Sequence, residues 1–559
     1  MTDTRAKVLT GVLLALLLGA VFLAVHVGAA ITPTGHEYSW NVFQLGGDMV
    51  MRGTPWPPAA TPAAIVAALL VLALFTVLLS WRARRASNKR ANVAIENMAT
   101  KQERKVLLEK ARTAETKQLH PAVENMPCGQ QVGRVIGTTT WAYQGWRETG
   151  VYVFGTGRGK TSSLVIRHCL NAPGAVIMTS NKVDGVREII AGRSSKGTIY
   201  LFDPNRIYRD ETAPDFVFNP LDGIDSLEDA QELAGIFEAS TRSSEDRGGD
   251  AQFDTDGRDL LAAFFLAAAL DHLTLATVYE WLADNVGRDA QVILREHGMA
   301  GPARTVDGVL NAPDKTRGSV FTTARRMASA LANDRLLTWT EGDSARRFDP
   351  AAFVTSSDTL VLLSKDGAGS GGALLTALVR AVGKRAERIA QRNGGRLPVP
   401  LVMELDECAN IVKWPELPSL YSFYGSMGIV LNAYFQSRAQ GVRAFGRDGW
   451  QALWDAAANR VYGGGVADDE FLASLAKLIG KRDDTTWGTS TNREGDMSSS
   501  THIREVNTMD IDKLANLPEW QVVMFNSKCR PVILTTLPWF RDRELKARTT
   551  GPAVKAARA

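Results

Sequence analysis

The chain has 559 residues, of which 45% are hydrophobic and 22% are charged, the balance of an ordinary globular protein. At roughly 150 residues per domain, this length predicts three to four structural units. The 64 Lys and Arg residues against 60 Asp and Glu give a net charge of +4, which argues against a protein that coats nucleic acid through a basic surface. The four cysteines have no CxxC spacing, so neither a disulfide framework nor a zinc site is indicated.

Two uncharged apolar stretches lie near the N-terminus, at Val8 to Ile31 and at Ala63 to Trp81. Each is close to the roughly 20 residues that a helix needs to cross a bilayer. Basic residues precede the first stretch and follow the second, whereas segment 32–62 contains one, Arg52. The positive-inside rule therefore predicts a two-helix transmembrane hairpin in the inner cell membrane, with both termini and the main body cytoplasmic. A cleaved signal peptide is the alternative for the first stretch.

A basic segment follows the second stretch, because residues 82–118 contain eleven Lys and Arg but four Glu. This excess is typical of contact with anionic membrane lipid, and a solvated linker helix is the alternative. We therefore predict that residues 1–118 form a membrane anchor, with spans 8–31 and 63–81, and a juxtamembrane linker.

A glycine-rich loop follows the apolar run 151–154 and precedes a helical pattern that starts at Ser162. In a strand–loop–helix unit, the loop amides and the helix N-terminus bind phosphate groups. Lys160 would reach the terminal phosphates, and the Thr161 hydroxyl would bind magnesium. The predicted nucleotide-binding residues are Gly155, Thr156, Gly157, Arg158, Gly159, Lys160, Thr161 and Ser162.

The loop departs from the usual GxxxxGK[ST] pattern at one position. The pattern requires glycine at position 154, where this chain has Phe154. Either Gly155 serves one position later in a shorter loop, or the loop is distorted. A chance Gly-Lys-Thr in a chain with 49 glycines is the remaining alternative.

A second apolar run, over 399–405, ends in Asp406 and Glu407. In motors with a phosphate-binding loop, the acid at such a strand end holds magnesium, and an adjacent Glu polarises the attacking water. We therefore assign Asp406 to the metal, together with Thr161, and Glu407 to catalysis, together with Lys160. Glu404 interrupts the apolar run without an evident reason.

Further segments occur in an order that is typical of one protein family. They are Thr179 to Asp184, Gly197 to Pro204, Phe218 to Leu221, Gly428 to Gln440, Arg460 to Gly465 and Leu517 to Trp520. With these segments and the two nucleotide motifs, the chain resembles the TraG/TraD-type conjugative DNA-transfer ATPases, the coupling proteins of type IV secretion systems, in an actinobacterial-looking form.

The resemblance implies an α/β fold: a RecA-like motor domain with a phosphate-binding loop and an all-α insertion, preceded by the transmembrane hairpin. The implied divisions are 119–224 and 350–540 for the nucleotide-binding domain, 225–349 for the insertion, which is implicated in substrate choice, and 541–559 for a basic tail. ATP and Mg are the implied cofactors. DNA or a relaxase–DNA complex, the secretion channel components and membrane lipid are the expected partners, and the protein is expected to form a homo-hexamer.

Two further features are implied by the resemblance. Gln436 falls where related motors place a polar sensor of the γ-phosphate, so it is a third catalytic candidate. A ring-shaped motor also takes an arginine from the neighbouring subunit. The candidates for that arginine are Arg317, Arg325, Arg326, Arg438 and Arg460.

The leading functional prediction is a membrane-anchored, ATP-driven coupling protein that recruits DNA or nucleoprotein and drives it into a type IV secretion channel. The second is a DNA translocase of the FtsK type, although no winged-helix DNA reader is evident after residue 538. The third is a weakly hydrolysing or non-hydrolysing adaptor that presents protein substrates to a secretion complex, an alternative suggested by Phe154.

Overall fold

The computed structural model describes residues 2–76, 98–210, 213–241, 251–342, 346–365, 370–491 and 497–550. The chain divides into two compact units, Met1–Glu96 and Asn97–Ala559. This division lies upstream of the predicted one at 118. Within the second unit, Arg112 donates to Glu148 in a buried ion pair, at 2.7 and 2.8 Å. The predicted boundary at 118 stays a prediction.

The described part of the first unit, residues 2–76, contains three helices: α1 (Thr2–Ile31), α2 (Val42–Met51) and α3 (residues 60–76). Helix α2 begins at Asn41, whose side chain accepts the backbone N–H groups of Phe43 and Gln44. Residues 77–97 lie outside the described part of the chain; they include the end of the second predicted span and the start of the basic linker.

The predicted multi-pass membrane location is not supported and stands corrected. Among the residues that the structure describes, no helix is both long enough and apolar enough to cross a bilayer.

The second unit is built on an eleven-stranded sheet with the strand order β2-β1-β15-β14-β11-β3-β10-β9-β4-β8-β5. The strands of the chain are β1 (Gln130–Val135), β2 (Trp141–Gln144), β3 (Gly150–Val153), β4 (Val176–Ser180), β5 (Ile199–Phe202), β6 (Phe216–Val217), β7 (Arg346–Arg347), β8 (Thr359–Leu363), β9 (Leu401–Leu405), β10 (Ile429–Phe435), β11 (Asn459–Tyr462), β12 (Lys481–Thr491), β13 (Met497–Asn507), β14 (Gln521–Asn526) and β15 (Cys529–Thr535).

The sheet is mostly parallel, as the alternation of apolar runs and helical segments predicts. From β11 through β3, β10, β9, β4 and β8 to β5, neighbouring strands are parallel, and their side chains are almost all buried. Strands β14, β15, β1 and β2 extend one side of the sheet in antiparallel pairing. The sequence did not predict β1 and β2, because their polar and apolar residues form no continuous apolar run.

Helices connect the strands of the second unit. They are α4 (Glu109–Leu119), α5 (Ile166–Asn171), α6 (Val186–Arg193), α7 (Leu227–Thr241), α8 (Ala251–Leu270), α9 (Leu275–Ala283), α10 (Arg288–Glu296), α11 (Ala300–Leu310), α12 (Asp314–Met327), α13 (Asp334–Leu337), α14 (Pro350–Val354), α15 (Gly372–Arg392), α16 (Cys408–Ile411), α17 (Leu417–Leu420), α18 (Arg438–Ala456), α19 (Asp469–Ile479), α20 (Ile511–Ala515) and α21 (Arg543–Thr550).

Between β6 and β7, which pair with each other, the described elements are all helical. Phe264 of α8 packs at the centre of this segment, with its ring 5.4 Å from that of Trp281 and 6.1 Å from that of Phe321. The assignment of residues 225–349 to a separate insertion domain stays a prediction. Residues 481–491 and 497–507 form the two-stranded antiparallel ribbon β12–β13.

Within the predicted basic tail at 541–559, residues 543–550 form helix α21. Helix α21 packs against the body through Leu545, which is 1% exposed. Immediately before this helix, Asp542 accepts a hydrogen bond of 2.9 Å from Arg167 of α5. An apolar contact and a buried ion pair therefore hold residues 542–550 in place, and residues 551–559 lie outside the described part.

Candidate nucleotide site

Parallel strands β3, β10, β9 and β4 are neighbours in the sheet, so the loops after them meet at one edge. These loops border a cavity of about 770 Å³. Every sequence-predicted site residue lies on it: the whole of 155–162, Asp406, Glu407 and Gln436. The structure therefore brings all of these residues together, while their individual roles stay predictions.

Phe154 does not enter this cavity. Its ring belongs to the hydrophobic core and packs on Gly463, where an added Cβ would lie 2.1 Å from the ring. Its N–H donates to the carbonyl oxygen of Phe435 on β10 at 3.0 Å. Phe154 therefore continues the hydrogen bonding between β3 and β10, and the phosphate-binding loop proper begins at Gly155.

Gly155 allows two backbone segments to approach closely. Its N–H donates to the carbonyl oxygen of Gly464 at 2.9 Å, and a Cβ at position 155 would lie 2.0 Å from the carbonyl oxygen of Gly465. This close approach explains how the loop accommodates a glycine one position later than the usual pattern. After the loop, one π-helical turn at Thr161–Val165 leads into α5.

Arg158 and Gly159 fix the loop against residues that follow β11 and precede β14. Arg158 donates to the carbonyl oxygens of Gly463, at 3.0 Å, and Pro518, at 3.1 Å. Gly159 has a φ of +75°, and an added Cβ there would lie 2.5 Å from the ring of Trp520. Trp520, in the Leu-Pro-Glu-Trp segment, thus supports the loop. The Arg158 guanidinium is thus directed to protein carbonyls.

Lys160 lies between the two acids at the end of β9. Its Nζ is 2.9 Å from Oδ1 of Asp406 and also donates to Oε1 of Glu407. The Thr161 hydroxyl donates to Oδ2 of Asp406 at 2.7 Å. Residues that are distant in sequence thus form one charged cluster, because β3 and β9 flank the same strand, β10.

The charges of this cluster stabilise one another. Burial lowers the pKa of Lys160, but Asp406 and Glu407 outweigh burial and raise that pKa above its ordinary value. Burial raises the pKa of Glu407, but the nearby Lys160 ammonium outweighs it, so the pKa of Glu407 is lowered. Glu407 is therefore an ionised carboxylate at neutral pH and can accept a hydrogen bond or a proton.

The backbone at Glu407 is held in an unusual conformation. Its φ is +54°, in the left-handed region that a residue with a Cβ rarely adopts. The Thr179 hydroxyl on β4 donates to the carbonyl oxygen of Asp406 at 2.8 Å, which fixes this turn. The Glu407 carboxylate also accepts a 3.0 Å hydrogen bond from Asn410. Sequence reasoning missed Thr179 and Asn410, although both lie within or beside the quoted motifs.

Glu404, unexplained in the sequence, is the acceptor at the centre of a buried polar network. It is fully buried and accepts hydrogen bonds from Gln130 at 2.8 Å, Asn432 at 2.7 Å and Tyr434 at 2.5 Å. His168 of α5 lies 3.3 Å from the same carboxylate. The network joins α5, which follows the phosphate-binding loop, to β9 and β10, whose ends carry Asp406 and Gln436.

The candidate trans-acting arginines lie elsewhere. Among the described residues that border the nucleotide cavity, none of the five occurs. Three of them are in close ion pairs: Arg317 with Asp314 and Arg326 with Asp254, both at 2.7 Å, and Arg438 with Asp468 at 3.0 Å and Glu470 at 2.5 Å. Of the other two, Arg325 donates to the carbonyl oxygen of Ala283 and Arg460 lies over the Trp454 ring.

These features are typical of one class of protein, the α/β nucleotide-binding proteins with a RecA-like fold and a phosphate-binding loop. The features are a mostly parallel sheet, a glycine-rich loop that ends in Lys160 and Thr161, and two acids at the end of a nearby strand.

Within this class, residues 400–519 match the family model described as the TraM recognition site of TraD and TraG. No curated protein sequence matches the chain significantly. Over these residues, the match confirms the resemblance to TraG/TraD-type coupling proteins.

The solved structures include the bacterial conjugative coupling protein TrwBdeltaN70 in its unbound monoclinic form, which is 15% identical over 76% of this chain and 91% of that one, with a TM-score of 0.52. The plasmid coupling protein TrwB in complex with the non-hydrolysable ATP analogue ADPNP is 16% identical over 70% and 86%, with a TM-score of 0.51. TrwB in complex with ADP and Mg²⁺ is 16% identical over 70% and 85%, with a TM-score of 0.50. At these identities the likeness is one of fold.

Proposed function

We propose that this protein is an ATP-driven coupling protein that recruits DNA or nucleoprotein and drives it into a type IV secretion channel. The observation that carries the proposal is the convergence of Lys160, Thr161, Asp406 and Glu407 at one cavity, within a fold shared with conjugative coupling proteins. The buried position of Phe154 weakens the alternative of a non-hydrolysing adaptor, because that side chain leaves the phosphate-binding loop unobstructed.

The residues of the cavity fit a magnesium nucleotide. Thr161 and Asp406 offer oxygen ligands, and Mg²⁺ in such sites is held by one or two protein oxygens together with substrate phosphates and water. Among the described residues, no cluster of three or more His, Cys, Asp or Glu offers a site that binds metal alone, in keeping with a metal that enters with the nucleotide. The Asn181 amide oxygen, also on the cavity, is buried without a hydrogen-bond partner.

Each residue of the cluster has a proposed role. Lys160 would neutralise the terminal phosphates, while Thr161 and Asp406 would hold magnesium, which stabilises charge on the phosphate oxygens. Glu407 would accept the proton of the attacking water, since it is ionised and hydrogen-bonded in a fixed orientation. Gln436 would sense the terminal phosphate from its contact with Glu407.

Assembly and partners follow from the same proposal. We propose a homo-hexamer in which an arginine of one subunit completes the site of its neighbour, because none of the candidate arginines borders the cavity of its own described chain. DNA or a relaxase–DNA complex is the proposed cargo, and the channel components are the proposed destination. Residues 400–519 are the proposed contact for an accessory protein of the DNA-processing complex, since the matching family is described by recognition of TraM.

ATP hydrolysis by the full-length chain, with and without single-stranded DNA, tests the proposal. We expect Mg²⁺-dependent hydrolysis that rises with DNA and is lost in Lys160→Ala. Lys481→Ala, which removes an exposed lysine paired with Glu505, is the matched control and should retain full activity. Binding of ATP without hydrolysis under all conditions would favour the adaptor and overturn the motor assignment.

A further inference from the structure

The nucleotide cavity extends beyond the phosphate-binding loop and the two acids. Its remaining border includes Ile166, Tyr208 and Trp539, none of which belongs to a nucleotide motif. A volume of about 770 Å³ is in the range of small-molecule sites, which span about 300–1,000 Å³. If the triphosphate of a nucleotide lies at the phosphate-binding loop, the nucleoside needs a separate part of the cavity. The border formed by Ile166, Tyr208 and Trp539 is apolar and can accommodate it.

Trp539 is fixed to the helix that follows the phosphate-binding loop. Arg167 of α5 donates to the backbone carbonyl oxygen of Leu537 at 2.9 Å and to the side-chain carboxylate of Asp542 at 2.9 Å, so one side chain binds residues on both sides of the tryptophan. Arg167 itself is 2% exposed. Any ligand held at the start of this helix therefore has the Trp539 indole at a set position beside it.

Tyr208 is fixed by a separate turn after β5. The carboxylate of Asp203 accepts the N–H groups of Ile207 at 2.7 Å, Tyr208 at 2.7 Å and Arg209 at 3.1 Å. These hydrogen bonds hold the backbone at Tyr208 in one conformation. Two aromatic residues from distant parts of the chain thus border one cavity, and Ile166 of α5 borders it as well.

Aromatic rings beside a phosphate site are suited to a nucleobase, because each base presents a flat π-face that stacks on an aromatic ring. We propose that Trp539 and Tyr208 hold the nucleobase of the bound nucleotide, and that the C-terminal segment is therefore part of the nucleotide site. This inference rests on the proposed function, since it concerns the same ligand. In this inference Trp539 contributes to the affinity for the nucleotide, whereas Asp406 and Glu407 act in catalysis.

The test compares two ligands of the full-length chain by equilibrium binding. One is Mg-ATP, which has a base, and the other is Mg-tripolyphosphate, which has none. We expect Trp539→Ala to weaken ATP binding about tenfold while tripolyphosphate binding stays unchanged. Trp539→Phe keeps an aromatic ring and should recover most of the affinity. Ile503→Ala is the control, because Ile503 is 69% exposed and does not border the cavity.

The outcomes separate this inference from the proposed function. Wild-type ATP affinity in Trp539→Ala would overturn the inference and leave the function intact. Equal loss of ATP and tripolyphosphate would also overturn it, because Trp539 would then be a structural support of the loop. If the wild-type chain binds neither ligand, the proposed function and the inference both fail.

Discussion

The side-chain nitrogen of Gln436 lies 3.0 Å from both carboxylate oxygens of Glu407. Gln436 directly follows β10 and Glu407 closely follows β9, so two adjacent parallel strands present the amide and the carboxylate side by side. Across the cavity, the Thr156 hydroxyl is 3.4 Å from the Gln436 side-chain oxygen. One glutamine therefore connects the phosphate-binding loop to the residue proposed to act as the base.

Replacement of Gln436 by Leu is expected to slow ATP hydrolysis about 10- to 100-fold with little effect on ATP affinity. Leu cannot orient the Glu407 carboxylate, whereas the phosphate-binding loop and Lys160 are retained. Single-turnover hydrolysis and equilibrium binding measure the two effects separately. Gln451→Leu, on the exposed face of α18, is the control. Equal losses of rate and affinity would contradict a role confined to hydrolysis.

Lys160→Ala and Glu407→Gln are expected to fail at different steps. Removal of the Lys160 ammonium should weaken ATP binding, because no other side chain of the loop carries a charge toward the phosphates. Glu407→Gln should bind ATP at least as well as the wild type but hydrolyse it about 100-fold more slowly or worse, since an amide cannot accept the proton of water. Binding titrations and hydrolysis rates distinguish the two. Wild-type hydrolysis in both variants would refute the motor assignment.

The nucleotide cluster could be predicted from sequence because its parts are local motifs at the ends of apolar strands. Phe154 could not be interpreted in the same way, because its partners, Gly463 and Phe435, come from distant segments. Glu404 had no local explanation within its apolar strand, because the donors that hydrogen-bond to its carboxylate come from β1 and β10. Trp539 has no local signal at all. Its position depends on the contacts of Arg167, and long-range contacts of this kind are not encoded in spacing.

Loss of the buried acceptor at position 404 is expected to destabilise the second unit strongly. Glu404→Leu leaves the donors on Gln130, Asn432 and Tyr434 without an acceptor, at a cost of about 3–5 kcal/mol. Glu404→Gln retains one carbonyl acceptor and should cost less. Urea unfolding followed by circular dichroism measures the free energy of unfolding. If Glu404→Leu is as stable as the wild type, the network contributes little to the free energy of unfolding.

The buried pair Arg112–Glu148 predicts an acid-dependent loss of stability. Burial raises the pKa of Glu148, but the Arg112 guanidinium outweighs burial and lowers that pKa from 4.5 to about 2. Because the pKa of Glu148 is lower in the folded state than in the unfolded state, ionised Glu148 stabilises the folded state at pH values above about 4.5. This contribution to stability, roughly 3 kcal/mol, is lost as pH falls from about 4.5 to 2. Glu148→Gln should therefore lower stability at pH 7 and flatten its decline in acid.

Glu103 is the matched control for this experiment. Its pKa is also lowered to about 2, first by the hydrogen bond from Arg530, but its side chain is 36% exposed, against 3% for Glu148. Solvent screens such a pair, so Glu103→Gln should leave the pH profile of unfolding close to that of the wild type. An equal effect of the two substitutions would indicate that burial of Glu148 does not decide its contribution.

A trans-acting arginine is expected to reveal itself by complementation between two inactive variants. Each of the candidates Arg317, Arg325, Arg326, Arg438 and Arg460 is replaced by Ala in turn, and the variant is mixed with Lys160→Ala subunits. The mixture contains subunits with an intact nucleotide site next to subunits with an intact arginine, so one variant that is inactive alone should regain ATP hydrolysis. The other four define the background.

Glu407→Gln mixed into wild-type rings should lower activity below the weighted mean, because each inactive site lies beside an active one. Additive activity in every mixture would show that the sites work independently and that no arginine is shared between subunits.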